Sequence, residues 1–258
     1  MFLSIQTIVY SWGLNNIHQL ALPSTQPAIT IPTQSTTLSS LSPVLLAAGI
    51  GHVLCLTDEG ELFVWGDGSK GQLGLGPSVL SCESPRSVEF VGSAHTQILS
   101  FSKMMVMSVA CGGNHSACLS TSNNVYTWGC GTYGQLGQGI DVESSFEPLL
   151  LHKLSGKEIC AVGKRERDSM QVACGQNHSL FLSTNGSVYA CGNGYYGQLG
   201  LDKENDYVWI REKWRIVLSR RYQSAASLHD HPNRLRRDLL AVSLQQKRAD
   251  RLRNAGTQ

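Results

Sequence analysis

LLAAGIGHVLCLTDEGELFVWGDGSKGQLGLG (45–76), SVACGGNHSACLSTSNNVYTWGCGTYGQLGQG (108–139) and QVACGQNHSLFLSTNGSVYACGNGYYGQLGLD (171–202) are three copies of one unit. His52, His115 and His178 are 63 residues apart, as are Gly66, Gly129 and Gly192, and likewise Gln72, Gln135 and Gln198. Trp65 and Trp128 keep the same step, and Cys191 takes the third place. A weaker half copy, VYSWGLNNIHQLAL (9–22), opens the chain. Its Trp12 and Gln19 precede Trp65 and Gln72 by 53 residues, and His18 and Ala21 stand where the full copies have glycines. Self-similarity at a fixed period is the signature of a repeat architecture.

Each copy reads as β. Val125-Tyr126-Thr127-Trp128 is β-branched and aromatic and stops at Gly129. His115 to Thr121 is a second short strand, closed by the turn residues Ser122-Asn123-Asn124, and Val106 to Cys111 precedes it. Pro85 and Pro148 introduce short runs, Ser87 to Val91 and Leu149 to Leu151, that read as outer strands. About four short strands per unit, repeated radially, make a β-propeller, in which thin sheets bury their faces against one another. The expectation is an all-β, incomplete β-propeller of about three and a half blades of four-stranded repeats.

The pattern WGxxxxGQLG, followed after a gap by VACGxxHSxxLS, resembles the regulator of chromosome condensation repeat. The resemblance covers residues 9–22 and 44–202. It implies a propeller, in that family usually of about seven blades. The family includes an exchange factor for the small GTPase Ran, a plant ultraviolet receptor, and scaffold or ubiquitin-ligase modules, so the resemblance implies fold more firmly than function. Three and a half units fall short of a ring. That implies a truncated or spliced product, assembly with other chains, or an open arc, and the abrupt stop after Gly200-Leu201-Asp202 favours the first.

Composition agrees with a β body. Of 258 residues, 41% are hydrophobic and 26 are Gly, which disfavours a helical bundle because each interior Gly costs roughly 0.5–1 kcal/mol against Ala. No apolar run of about 18 residues predicts a membrane span, and the N-terminus lacks the basic and apolar regions of a secretory signal. Charge divides the chain. Residues 1–202 carry 8 Lys+Arg and 13 Asp+Glu (−5), and residues 203–258 carry 13 and 6 (+7). The expected organisation is a repeat domain at 1–202, with a Ser/Thr/Pro-rich linker at 23–43, and a basic, helical tail at 203–258. In that tail Leu235, Leu239 and Val242 have helical spacing.

No catalytic constellation is visible, so no enzyme is expected. GxGxxG occurs at Gly66, Gly129 and Gly192, but each copy leads into GQLG rather than a helix whose N-terminus would hold a pyrophosphate. His52, His115 and His178 sit on different blades, which disfavours a shared metal. They read as structural histidines bonded to a neighbouring backbone group. The eight cysteines form no CxxC and read as reduced thiols of an intracellular protein of the cytoplasm or nucleus. No cofactor, metal or small-molecule substrate is expected.

The function expected is a protein–protein interaction scaffold, with guanine nucleotide exchange on a small GTPase as the alternative. The candidate partner contacts are Lys164, Arg165 and Arg167, on a polar loop that interrupts the repeat, and Arg234, Arg236 and Arg237 in the tail. For the tail, capping of the blade array or partner docking stands beside an extension with no selected role, and contact with nucleic acid or a membrane is the weaker reading.

Overall fold

A computed structural model describes residues 7–23, 25–90, 104–139, 141–157, 159, 172–183 and 187–200, and the backbone of 207–215. These fall in one compact unit, Met1–Lys164 with Ser169–Ile216. The other unit, Arg165–Asp168 with Val217–Gln258, lies outside the described residues.

Each full copy of the repeat supplies strands to an antiparallel meander. The first four-stranded sheet is β3 (Pro43–Ala48), β4 (His52–Thr57), β5 (Leu62–Asp67) and β6 (Ser81–Ser87). The second is β7 (Val106–Cys111), β8 (His115–Ser120), β9 (Val125–Cys130) and β10 (Ser144–Leu150). The third is β11 (Val172–Cys174), β12 (His178–Leu182), β13 (Ser187–Asn193) and β14 (Tyr207–Arg215). The half copy pairs β1 (Tyr10–Leu14) with β2 (Ala28–Gln34) as a two-stranded sheet.

The cores lie between sheets, not within them. Val9, Ala21 and Leu38 of the half copy bury against Cys55 and Trp65. Leu54, Leu56, Leu62 and Val64 of the first four-stranded sheet bury against Val106, Val109, Cys118 and Trp128 of the second. Ala117, Leu119 and Val125 of the second bury against Val172, Phe181 and Tyr189 of the third. The first strands adjoin one another, β7 touching β3 on one side and β11 on the other. This is the blade-on-blade packing of a propeller. Each large apolar side chain so buried contributes about 1.5–3 kcal/mol.

Three expectations change. The outer strands read at Ser87 to Val91 and Leu149 to Leu151 lie earlier, as β6 and β10, which begin at Ser81 and Ser144. The segment read as the start of a helical tail beyond Asp202 supplies β14, which pairs with β13 from Ser187↔Arg215 to Asn193↔Tyr207 and completes the third sheet. Its Tyr, Val, Trp and Ile residues suit a strand. The helix expected over 234–253 lies outside the described residues. The stretch 23–43, read as a flexible linker, contains β2 and a four-residue helical turn, α1 (Thr36–Ser39). Ser35 caps that turn by accepting the Leu38 N–H at 3.2 Å. Pro32 fits within β2 because the sheet ends there, so its missing N–H disrupts no ladder.

Gly134 has φ +76°, in the left-handed region that a β-branched residue avoids. Gly134→Val is expected to destabilise the fold by more than about 1 kcal/mol, a loss of roughly 2–4 °C in Tm for a domain of this size. A thermal melt of the variant checks it, and an unchanged Tm contradicts it.

Candidate functional site

The repeated residues meet at the seams between sheets, and each seam is built from a loop upward. In each GQLG turn the glutamine side chain staples its own loop. Gln72 Oε1 accepts the Lys70 N–H at 2.8 Å, and its Nε2 donates to Asp67 Oδ2 at 3.0 Å. Gln135 Oε1 accepts the Tyr133 N–H and Gln198 Oε1 the Tyr196 N–H, both at 2.8 Å, and Gln19 Oε1 accepts the Ile17 N–H at 3.0 Å. His18 (φ 57°) and Ala21 (φ 49°) keep the half copy's turn in the left-handed shape that glycines give the others.

That stapling aims the glutamine's main-chain carbonyl at the next sheet. The Gln72 carbonyl accepts from Trp128 Nε1 at 3.0 Å and from Ser116 Oγ at 2.8 Å. The Gln135 carbonyl accepts from Ser179 Oγ at 2.8 Å and from the Cys191 thiol at 3.3 Å. The Gln19 carbonyl accepts from Trp65 Nε1 at 2.9 Å. Gly74 is needed for this approach, since a Cβ there would lie 2.8 Å from Trp128 Nε1.

The histidines complete the seam. His52 Nε2 lies 2.9 Å from Ser116 Oγ, and His115 Nε2 lies 2.8 Å from Ser179 Oγ. The hydrogen bond of each ring's Nε2 thus runs to the serine hydroxyl of the following sheet. The hydroxyl reaches the backbone in turn. Because a carbonyl can only accept, each serine spends its one proton on the glutamine carbonyl, so the imidazole must donate from Nε2. Nδ1 of His52 and of His115 is then a buried, unpartnered acceptor. A second proton would sit there without an acceptor. Burial accordingly holds the His52 pKa down at about 4, against a weaker upward pull from Asp67, and holds the His115 pKa at about 3. The half copy has no counterpart of His52, and Val53 replaces the serine at that seam, so the two partners are absent together.

The structure thus brings His52 and Gln72 to Ser116 and Trp128, and His115 and Gln135 to Ser179 and Cys191. Gly66, Gly129 and Gly192 have positive φ and end the third strand of each sheet, with no helix following. His178 and Gln198 occupy the same places on the third sheet, where no described residue hydrogen-bonds the ring or the carbonyl. The candidate contacts Lys164, Arg165, Arg167, Arg234, Arg236 and Arg237 lie outside the described residues. Ser116 and Ser179 were missed as seam residues, although the repeated His-Ser dipeptide was there to be read.

Among the described residues no three His, Cys, Asp or Glu side chains are grouped to hold a metal, and no helix is long and apolar enough to cross a membrane. Burial pushes the Cys55 thiol up to about 11 and Cys174 up to about 12, which suits packing rather than nucleophilic chemistry.

Comparison with known proteins converges on one repeat. The family model of the regulator of chromosome condensation repeat matches residues 8–56, 59–119, 122–182 and 185–212. Its first match runs from the half copy into β4, so the sequence unit is staggered against the sheets. The chain is 33% identical over 201 residues to mouse E3 ubiquitin-protein ligase HERC2, covering 76% of this chain and 4% of that protein. It is 30% identical over 237 residues to human X-linked retinitis pigmentosa GTPase regulator, covering 76% of this chain and 22% of that protein. Among solved structures it resembles human WBSCR16, with a TM-score of 0.63 and 25% identity, over 82% of this chain and 49% of that one.

The buried histidines make stability pH-dependent. In the unfolded chain a histidine protonates near 6.5, whereas His52 and His115 in the fold resist to about 4 and about 3. Between those values the unfolded state binds more protons. Stability is therefore fully present above pH 6.5 and is lost as pH falls from there toward the folded values, by at most about 1.4 kcal/mol per unit for each ring. Thermal melts from neutral pH down to about pH 5 are expected to show a falling Tm, with a shallower slope in His115→Asn. Equal slopes in the two proteins contradict this.

Proposed function

The chain belongs to the regulator of chromosome condensation repeat family, and from that premise we propose that it is a non-catalytic protein–protein interaction scaffold. The observation that carries the reading is where the repeated polar residues are spent. His52, His115, Ser116, Ser179, Gln72 and Gln135 are buried and engaged between sheets. What is left to meet a partner is loops and sheet edges, the usual binding elements of such scaffolds. The chain spans only a small share of its ligase and GTPase-regulator relatives, and the part in common is repeat sequence. That supports a binding role over a shared enzymatic one.

Within this reading the body ends after β14. Lys164, Arg165, Arg167, Arg234, Arg236 and Arg237 are the basic contacts for an acidic partner surface. An intracellular setting, cytoplasm or nucleus, fits the seven described cysteines, all of them free thiols.

A second reading, regulation of nucleotide exchange on a small GTPase, draws on the likeness to the human GTPase regulator. Exchange requires tighter binding to the empty GTPase than to the loaded one. A small GTPase loaded with fluorescent guanine nucleotide, incubated with the full chain, is expected to release it at its intrinsic rate. Accelerated release would replace the scaffold reading with the exchange reading.

A further inference from the structure

We propose that this chain joins to a second copy of itself, head to tail, through the same seam that holds its own sheets together. The open side of the third sheet supplies one half of the seam, and the Trp12 side of the N-terminal sheet supplies the other.

Among the described residues nothing occupies the accepting half on the third sheet. Its first turn residue tells this directly. A Cβ on Gly71 would strike the Ser145 carbonyl of the next sheet, whereas a Cβ on Gly197, at the same repeat position, would meet nothing within 4 Å. The face behind the turn is correspondingly less covered than in the other sheets. Leu54 and Leu56 in β4, and Leu119 in β8, are buried against the sheet that follows. Their counterparts Leu180 and Leu182 in β12 are only half-buried, as is Val188 in β13, where Leu62 and Val125 are buried. The His178 ring is half-buried too, and the Gln198 carbonyl receives no hydrogen bond from a described residue. Gln198 is nonetheless stapled to its loop like the other three glutamines, so the carbonyl is already aimed.

The N-terminal sheet carries the donating half. Trp12 stands at the repeat position of Trp65 and Trp128, whose indoles donate to the glutamine carbonyl of the preceding sheet. Those two are 1% and 0% exposed, and Trp12 is 57% exposed. Tyr10 shares its face of β1, and Ile8 precedes them in the same alternation, all exposed. This is a contiguous apolar strip on the side that, in every other sheet, lies against a predecessor.

The two open sides are thus donor and acceptor of one joint already made within the chain, and the partner whose chemistry fits is this chain again. The joint between copies is of the tryptophan type, Trp12 Nε1 to the Gln198 carbonyl, as at Trp65 and Gln19 inside the chain. The half copy has no strand bearing a serine, so His178 gains no hydroxyl from it. A head-to-tail contact of this kind closes into a ring or extends into a chain. The proposal is independent of the scaffold reading, since self-assembly requires no foreign partner.

The test uses the full chain in sedimentation or light scattering over a wide concentration range. The wild type is expected to rise from one copy to two or more. Trp12→Arg and Leu180→Arg are each expected to remain single copies. Mixing the two variants is expected to yield a pair, because one retains the accepting side and the other the donating side. Trp12→Arg is expected to keep the wild-type Tm, which separates loss of the joint from loss of the fold. A wild type that stays a single copy at every concentration overturns the proposal, as does a mixture that fails to pair while both variants melt as folded proteins. Association that survives in both variants places the contact elsewhere and also overturns it.

Discussion

The backbone carbonyls of Gln19, Gln72 and Gln135, each aimed by its own glutamine side chain and filled by donors from the next sheet, are the constraint on which this fold depends. A four-stranded sheet is too thin to hide its faces alone, so each must be set against its neighbour at one position and no other. Apolar burial supplies the energy, at about 1.5–3 kcal/mol for each large side chain, but it is tolerant of sliding. A hydrogen bond nets only about 0.5–1.5 kcal/mol, yet a buried group left unpaired costs roughly 1–3 kcal/mol. The carbonyl therefore acts as a position marker. Trp128 and Ser116 can satisfy Gln72 only when the second sheet is correctly seated on the first.

The histidine adds a second check on the same position. His52 reaches across the seam to a serine whose proton is already committed, so only one tautomer fits and only the neutral ring is tolerated. Where the seam has no histidine, at the half copy, a valine stands in for the serine and the indole alone closes the contact. The repeat thus varies in linked pairs of residues rather than singly, as expected when a buried polar group must have its partner or be dispensed with.

Most of the architecture could be read from the repeat step. It placed the three inner strands of the first two sheets, the half copy, and the residues that gather at the seams. Two strands could have been read and were not. Advancing β10 by one repeat lands on 207–213, inside β14, but Arg211, Lys213 and Arg215 gave that segment the look of a charged tail. As the outermost strand of its sheet, β14 is a usual place for charge. Likewise Pro32 precedes Pro85 by the same 53 residues that separate Trp12 from Trp65, but the Ser/Thr/Pro composition of 23–43 masked an outer strand. The repeated His-Ser dipeptide marks the serine, but not its pairing with the histidine of the preceding copy. Periodicity says which positions are equivalent, not which of them face each other across a seam between copies 63 residues apart. Family membership followed from the same periodicity, while the choice of partner is carried by segments that do not repeat.

The most direct measurement of the account is the state of the two buried rings, read by nitrogen-15 NMR of histidine-labelled protein across pH. The account predicts that His52 and His115 carry their proton on Nε2 at neutral pH and remain neutral well below 6.5, titrating only near about 4 and about 3. Rings protonated on Nδ1, or titrating near 6.5, would contradict the relay from imidazole to serine to carbonyl, and with it the claim that this contact sets one sheet on the next.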